Sequence, residues 1–509
     1  MKTYPISHFD HIRDEDQLII FTVPGRTKTN SYGFEAVVKG SRVVSVGSND
    51  NTVPEGGFVI SGHGKAAGFV HEAVCEGAKV TIDREKMIIT VEVDDEAKRI
   101  GCEKKLALIK DRLAERVKEN AVFDREKAEA LIKEANDGLQ NGLFDKVHEI
   151  LEDAYYVTAE SKKGEVRAVW HRPLEKSFEE VEALMRKLKD AGFNQILIET
   201  DYEGHSNALK LKNDYLPVWY MFENGFDPID AYIKIGKKLG IEVHAWFEDF
   251  FCGVEGYGCK IGELHPEWLA KDKNGGLLHD ALDIFYYLNP VIPEVREFLL
   301  NHIRQLLDAY DFDGFQLDYI RYPVMHSIER CAGFDDYSKQ KFLEETGIDI
   351  DTVTDEHSKE WKAFVEWRAK YVTMFVSDVY KLIMEYRKKG RMIKLSTAVF
   401  GDPDEAIRLK SQDWRYWVTQ GWLDAIYPMA YLDDAKDVGK EVGYMVKNYG
   451  KAPNISGISP MYHHLPAIES TKQVEECRKA GASGVAFFCA ANCTDDQLEK
   501  LKKGVFREE

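Results

Sequence analysis

Asp318 is the residue whose type and position point most directly to chemistry. It ends the apolar run Gly314-Phe-Gln-Leu-Asp318 and is followed by Tyr-Ile-Arg321-Tyr-Pro. A carboxylate at the end of a buried strand can act as a nucleophile, a base or a charge stabiliser, and Arg321 would keep it ionised by charge pairing. We therefore predict that Asp318 is catalytic.

Other carboxylates follow other strand-like runs, and these are Glu199, Asp201, Glu248, Asp249 and Asp402. Two carboxyl groups that face each other across a pocket can divide the work of glycoside hydrolysis, one as nucleophile or base and the other as proton donor. The sequence leaves the partner of Asp318 open among Glu248, Asp402 and Glu199. Glu248 also fits a cap on the next segment, and Asp402 lies in Gly-Asp-Pro-Asp, which suits a turn equally well.

Aromatic and hydrogen-bonding residues lie near the same run ends. Sugars present flat C–H faces and rings of hydroxyl groups, so stacking platforms beside polar side chains suit them. His244 fits a buried structural histidine equally well. We expect the substrate to contact a set of twelve residues: Trp170, His171, Tyr202, His205, His244, Trp246, Tyr319, Arg321, Tyr427, Tyr431, Tyr462 and His463.

Eight strand-like runs, alternating with helical segments, must position these residues. The runs are 166–170, 195–199, 242–247, 314–318, 393–399, 425–429, 454–458 and 484–488. Alternating strands and helices imply a parallel sheet, and eight units over this length fit a (β/α)8 TIM barrel with the active site at the carboxyl ends of its strands. An open doubly wound sheet is the alternative. Its first turn is usually rich in glycine, whereas the first turn here is His171-Arg-Pro-Leu.

Two further regions precede the predicted barrel, which we place at residues 161–509. Residues 1–95 contain short β-rich runs from Gln17 to about Val93 and one helix near Lys65 to Glu76, which predicts a β-rich α+β domain. Residues 96–160 carry Lys, Glu, Ala and Leu at three- and four-residue spacing without proline, which predicts a connector of two or three helices. The fold class is therefore α/β, with an N-terminal α+β domain and a helical connector.

One N-terminal motif has the spacing of a dinucleotide fingerprint. In Gly62-His-Gly64-Lys-Ala-Ala67 a strand leads through GxGxxA into a helix. The strands before it read as a meander and the domain is too small for a complete dinucleotide-binding unit, so we favour a tight turn that packs a helix on a sheet. We predict no cofactor.

The composition and net charge limit the classes of partner that the protein is expected to bind. The formal net charge of −19 disfavours nucleic acid and anionic lipid surfaces, and no apolar stretch is long enough to cross a membrane. The first ten residues lack the apolar core of a secretory signal, which predicts a cytoplasmic protein. The eight cysteines are scattered and predict reduced thiols and no metal site. Oligomeric state stays open.

The residues from about Glu165 to Phe506 resemble the glycosyl-hydrolase-like family 10, bacterial glycosidases related at a distance to α-amylase- and α-galactosidase-type barrels. The resemblance is carried by 167–170, 242–246, 287–290, 310–323 and 418–431. It implies a glycosidase barrel in which the Asp at the end of the fourth strand, here Asp318, is the principal carboxylate. Glu-Asp follows His-Ala-Trp-Phe where such families often have Asn-Pro, so the resemblance assigns no partner. Residues 57–80 also resemble a fragment of the phosphodiester-glycosidase domain.

The leading hypothesis is thus hydrolysis of a polysaccharide or oligosaccharide through a carboxylate pair that includes Asp318. A carbohydrate-binding barrel without turnover is one alternative. A metal-dependent barrel hydrolase is another, but such enzymes need several strand-end histidines, and the first strand here supplies only His171.

Overall fold

The computed structural model describes residues 1–11, 16–29, 33–47, 49–222, 224–280 and 283–508. Its largest part is an eight-stranded parallel sheet that curves into a TIM barrel. Barrel strands 1 to 8 are Val166–His171, Gln195–Glu199, Glu242–Glu248, Gly314–Asp318, Lys394–Val399, Ala425–Pro428, Ile455–Ile458 and Gly484–Phe487. Two isolated parallel bridges between strands 6 and 7 nearly close the ring. The sequence prediction of a (β/α)8 barrel is confirmed.

Eight helices surround the barrel: Phe178–Asp190, Pro228–Leu239, Pro293–Ala309, Lys359–Lys388, Trp414–Thr419, Ala435–Tyr449, Ala467–Lys479 and Asp495–Lys503. Several begin at the caps that their sequences supply. Ser177 accepts a hydrogen bond from the backbone N–H of Glu180, and Asp227 does the same for Asp230 with Pro228 in the first turn. Residues next to the start of these helices therefore determine where each helix begins.

Residue parity along the strands decides what faces inward. Val169, Ile196, Val243 and Phe315 point outward and pack with the helices into the main hydrophobic core. Their neighbours in the opposite phase point into the barrel, where a separate cluster contains Ala168, Trp170, Leu197, Trp246, Tyr427 and Ala486. Because successive strand residues point to opposite sides, one inward residue fixes the direction of its whole strand.

Long insertions line the carboxyl ends of the strands. After strand 2 a short hairpin pairs Asp201–Tyr202 with His205–Ser206, and a 3₁₀ turn follows at Tyr220–Phe222. After strand 3 a small antiparallel sheet contains Phe251–Val254, Leu278–Asp280 and Asp283–Tyr287. The remaining short elements are the helices Lys260–Leu264, Asp336–Thr346 and Pro403–Lys410 and the 3₁₀ turns Pro266–Trp268, Ile350–Thr352 and Ala490–Asn492.

The N-terminal region forms a largely antiparallel eight-stranded sheet. Its strands, in spatial order, are Lys2–Pro5, Ile88–Glu92, Lys79–Asp83, Arg42–Val46, Gly33–Lys39, Gly57–His63, Leu18–Phe21 and His8–Phe9. A two-stranded pair, Gly25–Arg26 with Thr52–Val53, lies beside it. The helix Lys65–Ala73 packs on one face through Ala66 and Val70.

The GxGxxA turn lies between that sheet and that helix. The strand Gly57–His63 pairs antiparallel with both of its neighbours, so the turn does not belong to a parallel β-α-β unit. A side chain at Gly62 would come within 2.6 Å of the carbonyl oxygen of Ala66, and Gly64 has φ 55°. The glycines therefore permit a tight turn that brings helix and sheet together.

The connector contains three helices, Asp95–Lys118, Arg125–Gln140 and Phe144–Val157, with a small core of their own. Its first helix contacts the barrel through Arg112, which donates two hydrogen bonds of 2.9 and 2.8 Å to the carboxylate of Glu475. Among the described residues, no helix is long and apolar enough to cross a membrane.

Candidate active site

Asp318 lies at the carboxyl end of barrel strand 4, with its carboxylate held by two donors. The indole N–H of Trp246 donates to Oδ2 over 2.9 Å, and the backbone N–H of Tyr319 donates to Oδ1 over 2.7 Å. Tyr319 has φ 48°, in the left-handed region, which aims its N–H back at the carboxylate. Burial raises the pKa of Asp318, whereas these two donors and the charge of Arg321 oppose the rise.

Glu248 lies at the end of strand 3 in direct register with Asp318. The side chains of register partners on neighbouring parallel strands point to the same side, so both carboxyl groups face the barrel interior. Glu248 is buried and accepts a hydrogen bond of 3.2 Å from the backbone N–H of Glu203. Burial, followed by the charge of Glu199, raises the pKa of Glu248 well above its usual value. The surroundings of Glu248 therefore favour its protonated state, whereas the donors around Asp318 stabilise its ionised state more than those around Glu248 do.

Glu199, at the end of strand 2, is the third inward carboxyl group. It is fully buried and receives two hydrogen bonds from Arg172, of 2.5 Å from Nε and 2.9 Å from Nη2. It also hydrogen-bonds to the carboxyl group of Glu248. Burial raises the pKa of Glu199, and Arg172 opposes that rise. Arg172 covers the ring of Tyr202, with its guanidinium carbon 3.7 Å from the ring centroid.

Arg172 contacts the inward carboxyl groups, and the sequence analysis missed it. It stands in the turn after strand 1, and its partner Glu199 lies 27 residues further along the chain. An Arg directly after a barrel strand was the available signal, but its pairing depends on the alignment of strands 1 and 2.

Asp249 follows Glu248 and points the opposite way. Its carboxyl group is buried, and neither oxygen has a hydrogen-bond partner in the structure. It borders a cavity of about 20 Å³, room for about one water molecule, that Asp201, Phe251 and Cys252 also line. Burial, followed by the charge of Asp318, raises the pKa of Asp249 well above its usual value.

Aromatic rings surround the carboxyl groups in two sets. Phe488, just after strand 8, contacts Trp170, Trp246, Tyr431 and Tyr462 at centroid distances of 5.4 to 6.3 Å; we call these five residues the Phe488 cluster. The sequence analysis placed Phe488 in a strand but not in the site. Tyr462 is 52% exposed, so its ring is accessible from solvent.

The second set, which we call the Tyr202 wall, contains Tyr202, Trp219 and Tyr220. Tyr202 contacts Trp219 at 5.2 Å, and Trp219 contacts Tyr220 at 5.6 Å. Tyr220 is 67% exposed. The wall follows strand 2, whereas Tyr431 and Tyr462 of the Phe488 cluster follow strands 6 and 7. In an eight-stranded barrel these positions lie on opposite sides of the mouth.

Three predicted residues lie away from the Asp318 carboxylate. Asp402 caps the helix Pro403–Lys410 by accepting hydrogen bonds from the backbone N–H groups of Asp404 and Glu405. His171 points outward to Glu175, 3.0 Å from its Nε2. His244 lies low in the barrel, where it contacts Gln195 and Glu242.

The other predicted contacts are nearer the mouth or below it. Tyr427 hydrogen-bonds to Gln195 at the amino end of strand 2, beneath the Phe488 cluster. His205 contacts the carbonyl oxygen of Glu203, and His463 contacts Asp433 at 2.6 Å. Arg321 is buried with its guanidinium carbon 4.9 Å from the ring centroid of Tyr319, beside Asp318.

The described residues hold no group of three or more His, Cys, Asp or Glu side chains arranged to bind a metal ion. The arrangement that they do hold is three inward carboxyl groups on neighbouring strands, one arginine clamp and two aromatic surfaces. Such an arrangement can donate a proton, stabilise a developing positive charge and stack on a flat ring.

Comparison with known proteins gives a consistent result. A family model described as glycosyl hydrolase-like 10 matches residues 165–450. The chain is 23% identical over 272 residues to "Glycosyl hydrolase YngK" of Bacillus subtilis (strain 168), covering 49% of this chain and 48% of that protein. It is 25% identical over 227 residues to "Glycosyl hydrolase DigH" of Escherichia coli (strain K12), covering 41% and 46%. The matches thus span about half the length of these curated relatives.

Among solved structures, the PgaB (BpsB) glycoside hydrolase domain from Bordetella bronchiseptica superposes with a TM-score of 0.52 at 12% identity. The match covers 67% of this chain and 99% of that domain. At this identity the likeness concerns the fold.

Proposed function

The chain belongs to the glycosyl hydrolase-like 10 family, and on that premise we propose that it hydrolyses glycosidic bonds in an oligosaccharide or polysaccharide. Glu248 is the proposed proton donor and Asp318 the carboxylate that faces the anomeric carbon. The observation that carries the proposal is the register pairing of these two inward residues at the ends of neighbouring strands. Their surroundings differ in the direction that two complementary roles require.

The proposed reaction divides between the two groups. Glu248 gives its proton to the glycosidic oxygen, so that the leaving sugar departs as an alcohol. Asp318 bonds to the anomeric carbon as the leaving sugar departs, and the Trp246 and Tyr319 donors keep its carboxylate oriented. Water then attacks the same carbon, gives a proton back to Glu248 and releases the sugar and the Asp318 carboxylate. Positioned proton transfer of this kind contributes typically about 10²- to 10⁴-fold to the rate.

The aromatic surfaces support a carbohydrate chain as the substrate. The Phe488 cluster and the Tyr202 wall each have a tyrosine exposed at the barrel mouth, Tyr462 after strand 7 and Tyr220 after strand 2. Stacking platforms at two positions around the mouth suit a substrate with more than one sugar unit.

The test is release of reducing ends from a panel of neutral glycans by the wild type, Asp318→Asn and Glu248→Gln. Glu182→Gln is the control, because Glu182 lies on the outer helix Phe178–Asp190 and pairs with Arg186 and Lys238. We expect hydrolysis by the wild type and the control, and loss in both site variants. Glycan binding without product release, unchanged in Asp318→Asn, would instead support a carbohydrate-binding protein without turnover.

A further inference from the structure

We propose that Glu199 and Arg172 are positioning residues that hold the catalytic proton on Glu248. The catalytic consequence of this inference rests on the proposed function, but the location of the proton does not. The inference starts from an arrangement that two catalytic carboxyl groups alone do not need: a third, fully buried carboxyl group with its own arginine.

The contact between Glu199 and Glu248 requires a proton. Both side chains are buried inside the barrel mouth, and their carboxyl groups hydrogen-bond to each other. Two ionised carboxylates repel and neither can donate, so a hydrogen bond between them means that one is protonated. The pair therefore shares one proton, as two carboxyl groups in contact do in other acid–base sites.

The contact with Arg172 decides which member keeps that proton. Arg172 meets Glu199 through two parallel N–H groups, the geometry that suits an ionised carboxylate best. Glu248 receives a longer bond of 3.2 Å from a neutral backbone N–H and is influenced by Arg172 only through space. Glu199 is therefore the ionised member, and Glu248 carries the proton toward the substrate.

The groups that face Glu248 from the neighbouring elements are Glu199, Arg172, Asp318, Tyr319, Cys252 and the backbone N–H of Glu203. Glu199 and Asp318 disfavour a negative charge on Glu248, and Arg172 favours it. Removing the charge of Glu199 should therefore lower the pKa of Glu248. A neighbouring charge at contact distance typically changes a pKa by about 1 to 3 units.

The first experiment is the pH profile of kcat/KM for any glycan of the panel that the wild type cleaves. Glu199→Gln should move the alkaline limb to lower pH by about 1 to 3 units. Arg172→Met should raise the pKa of Glu248 and move the alkaline limb to higher pH, and Arg172→Lys should restore part of that change. The Glu182→Gln control should match the wild type. An alkaline limb at the wild-type pH in Glu199→Gln would overturn the inference.

The second experiment does not depend on turnover. The infrared carbonyl band of protonated carboxylic acids is recorded as a function of pH, and the spectrum of Glu248→Gln is subtracted. We expect the wild type to show a band from Glu248 at neutral pH, and Glu199→Gln to lose it at lower pH. No band at neutral pH, or equal titration in both proteins, would overturn the inference. A wild type that shows the band but cleaves no glycan would contradict the proposed function alone.

Discussion

Replacing Trp246 with Phe tests the proposal that the hydrogen bond from its indole N–H helps to keep Asp318 ionised. The variant removes the indole N–H that donates to Oδ2 over 2.9 Å and leaves the backbone donor of Tyr319 in place. A hydrogen bond to a charged group contributes about 1.5–3 kcal/mol. Because one pKa unit corresponds to about 1.4 kcal/mol, loss of the donor should raise the pKa of Asp318 by about 1–2 units.

The assay is the acid limb of the kcat/KM profile, which reports ionisation of the free enzyme. In Trp246→Phe this limb should move to higher pH by about 1–2 units, because the ionised form has lost stabilisation. Trp170→Phe is the matched control. It removes an indole N–H from the same barrel interior, but that group donates to Gln316 over 2.6 Å. An unmoved limb in Trp246→Phe, or an equal shift in both variants, would refute the reasoning.

Three further predictions follow from other contacts. Burial raises the pKa of Asp249, so the stability that this group contributes is present below about pH 4 and is lost, by about 1.4 kcal/mol per pH unit, as the pH rises toward the folded pKa. Asp249→Asn should therefore gain stability relative to the wild type in urea unfolding as the pH rises above about 4, and a constant difference would be the contrary result. Arg112→Met leaves Glu475 largely buried, with Arg116 at 3.4 Å as its remaining arginine partner among the described residues. This change should cost about 1–3 kcal/mol in the same measurement, and an unchanged midpoint would speak against it. The Cα atoms of register partners on adjacent strands lie about 4.8 Å apart, so the inward Asp318 and Glu248 favour the short carboxyl separation of retaining enzymes. The first product formed should therefore have the same anomeric configuration as the substrate, as measured by NMR. The opposite anomer would exclude this assignment.

Local sequence predicted the barrel well because its signals repeat along the chain. Each strand is a short apolar run, and each following helix carries its apolar residues at helical spacing. The two short strands Lys2–Pro5 and His8–Phe9 were not predicted, because they are polar, exposed or half-buried segments at the edges of the N-terminal sheet.

The positions of His171 and Asp402 follow from two general rules, the alternation of side chains along a strand and the capping of a helix start. Once Trp170 faces inward, His171 must face outward. Asp402 precedes Pro403, and an Asp before a Pro in the first turn is a typical helix start. Residue type suggests both as site residues, but the alternation along a strand and the capping of a helix decide where their side chains point.

The contacts among the carboxyl groups cannot be predicted from the sequence by such rules. The hydrogen bond between Glu199 and Glu248, and the clamp from Arg172, depend on how far neighbouring strands are staggered. The sequence shows that these residues are present, but it does not show how far neighbouring strands are staggered. The choice of Glu248 as the proposed proton donor therefore depends on the contacts in the structure and not on the sequence alone.

The most direct test of the central proposal is reducing-end release by the wild type beside Asp318→Asn and Glu248→Gln, each checked for an unchanged far-ultraviolet spectrum. We predict that the wild type cleaves at least one glycan and that each substitution lowers the rate by about 10²-fold or more. Wild-type rates in both folded variants would contradict the assignment of this carboxyl pair.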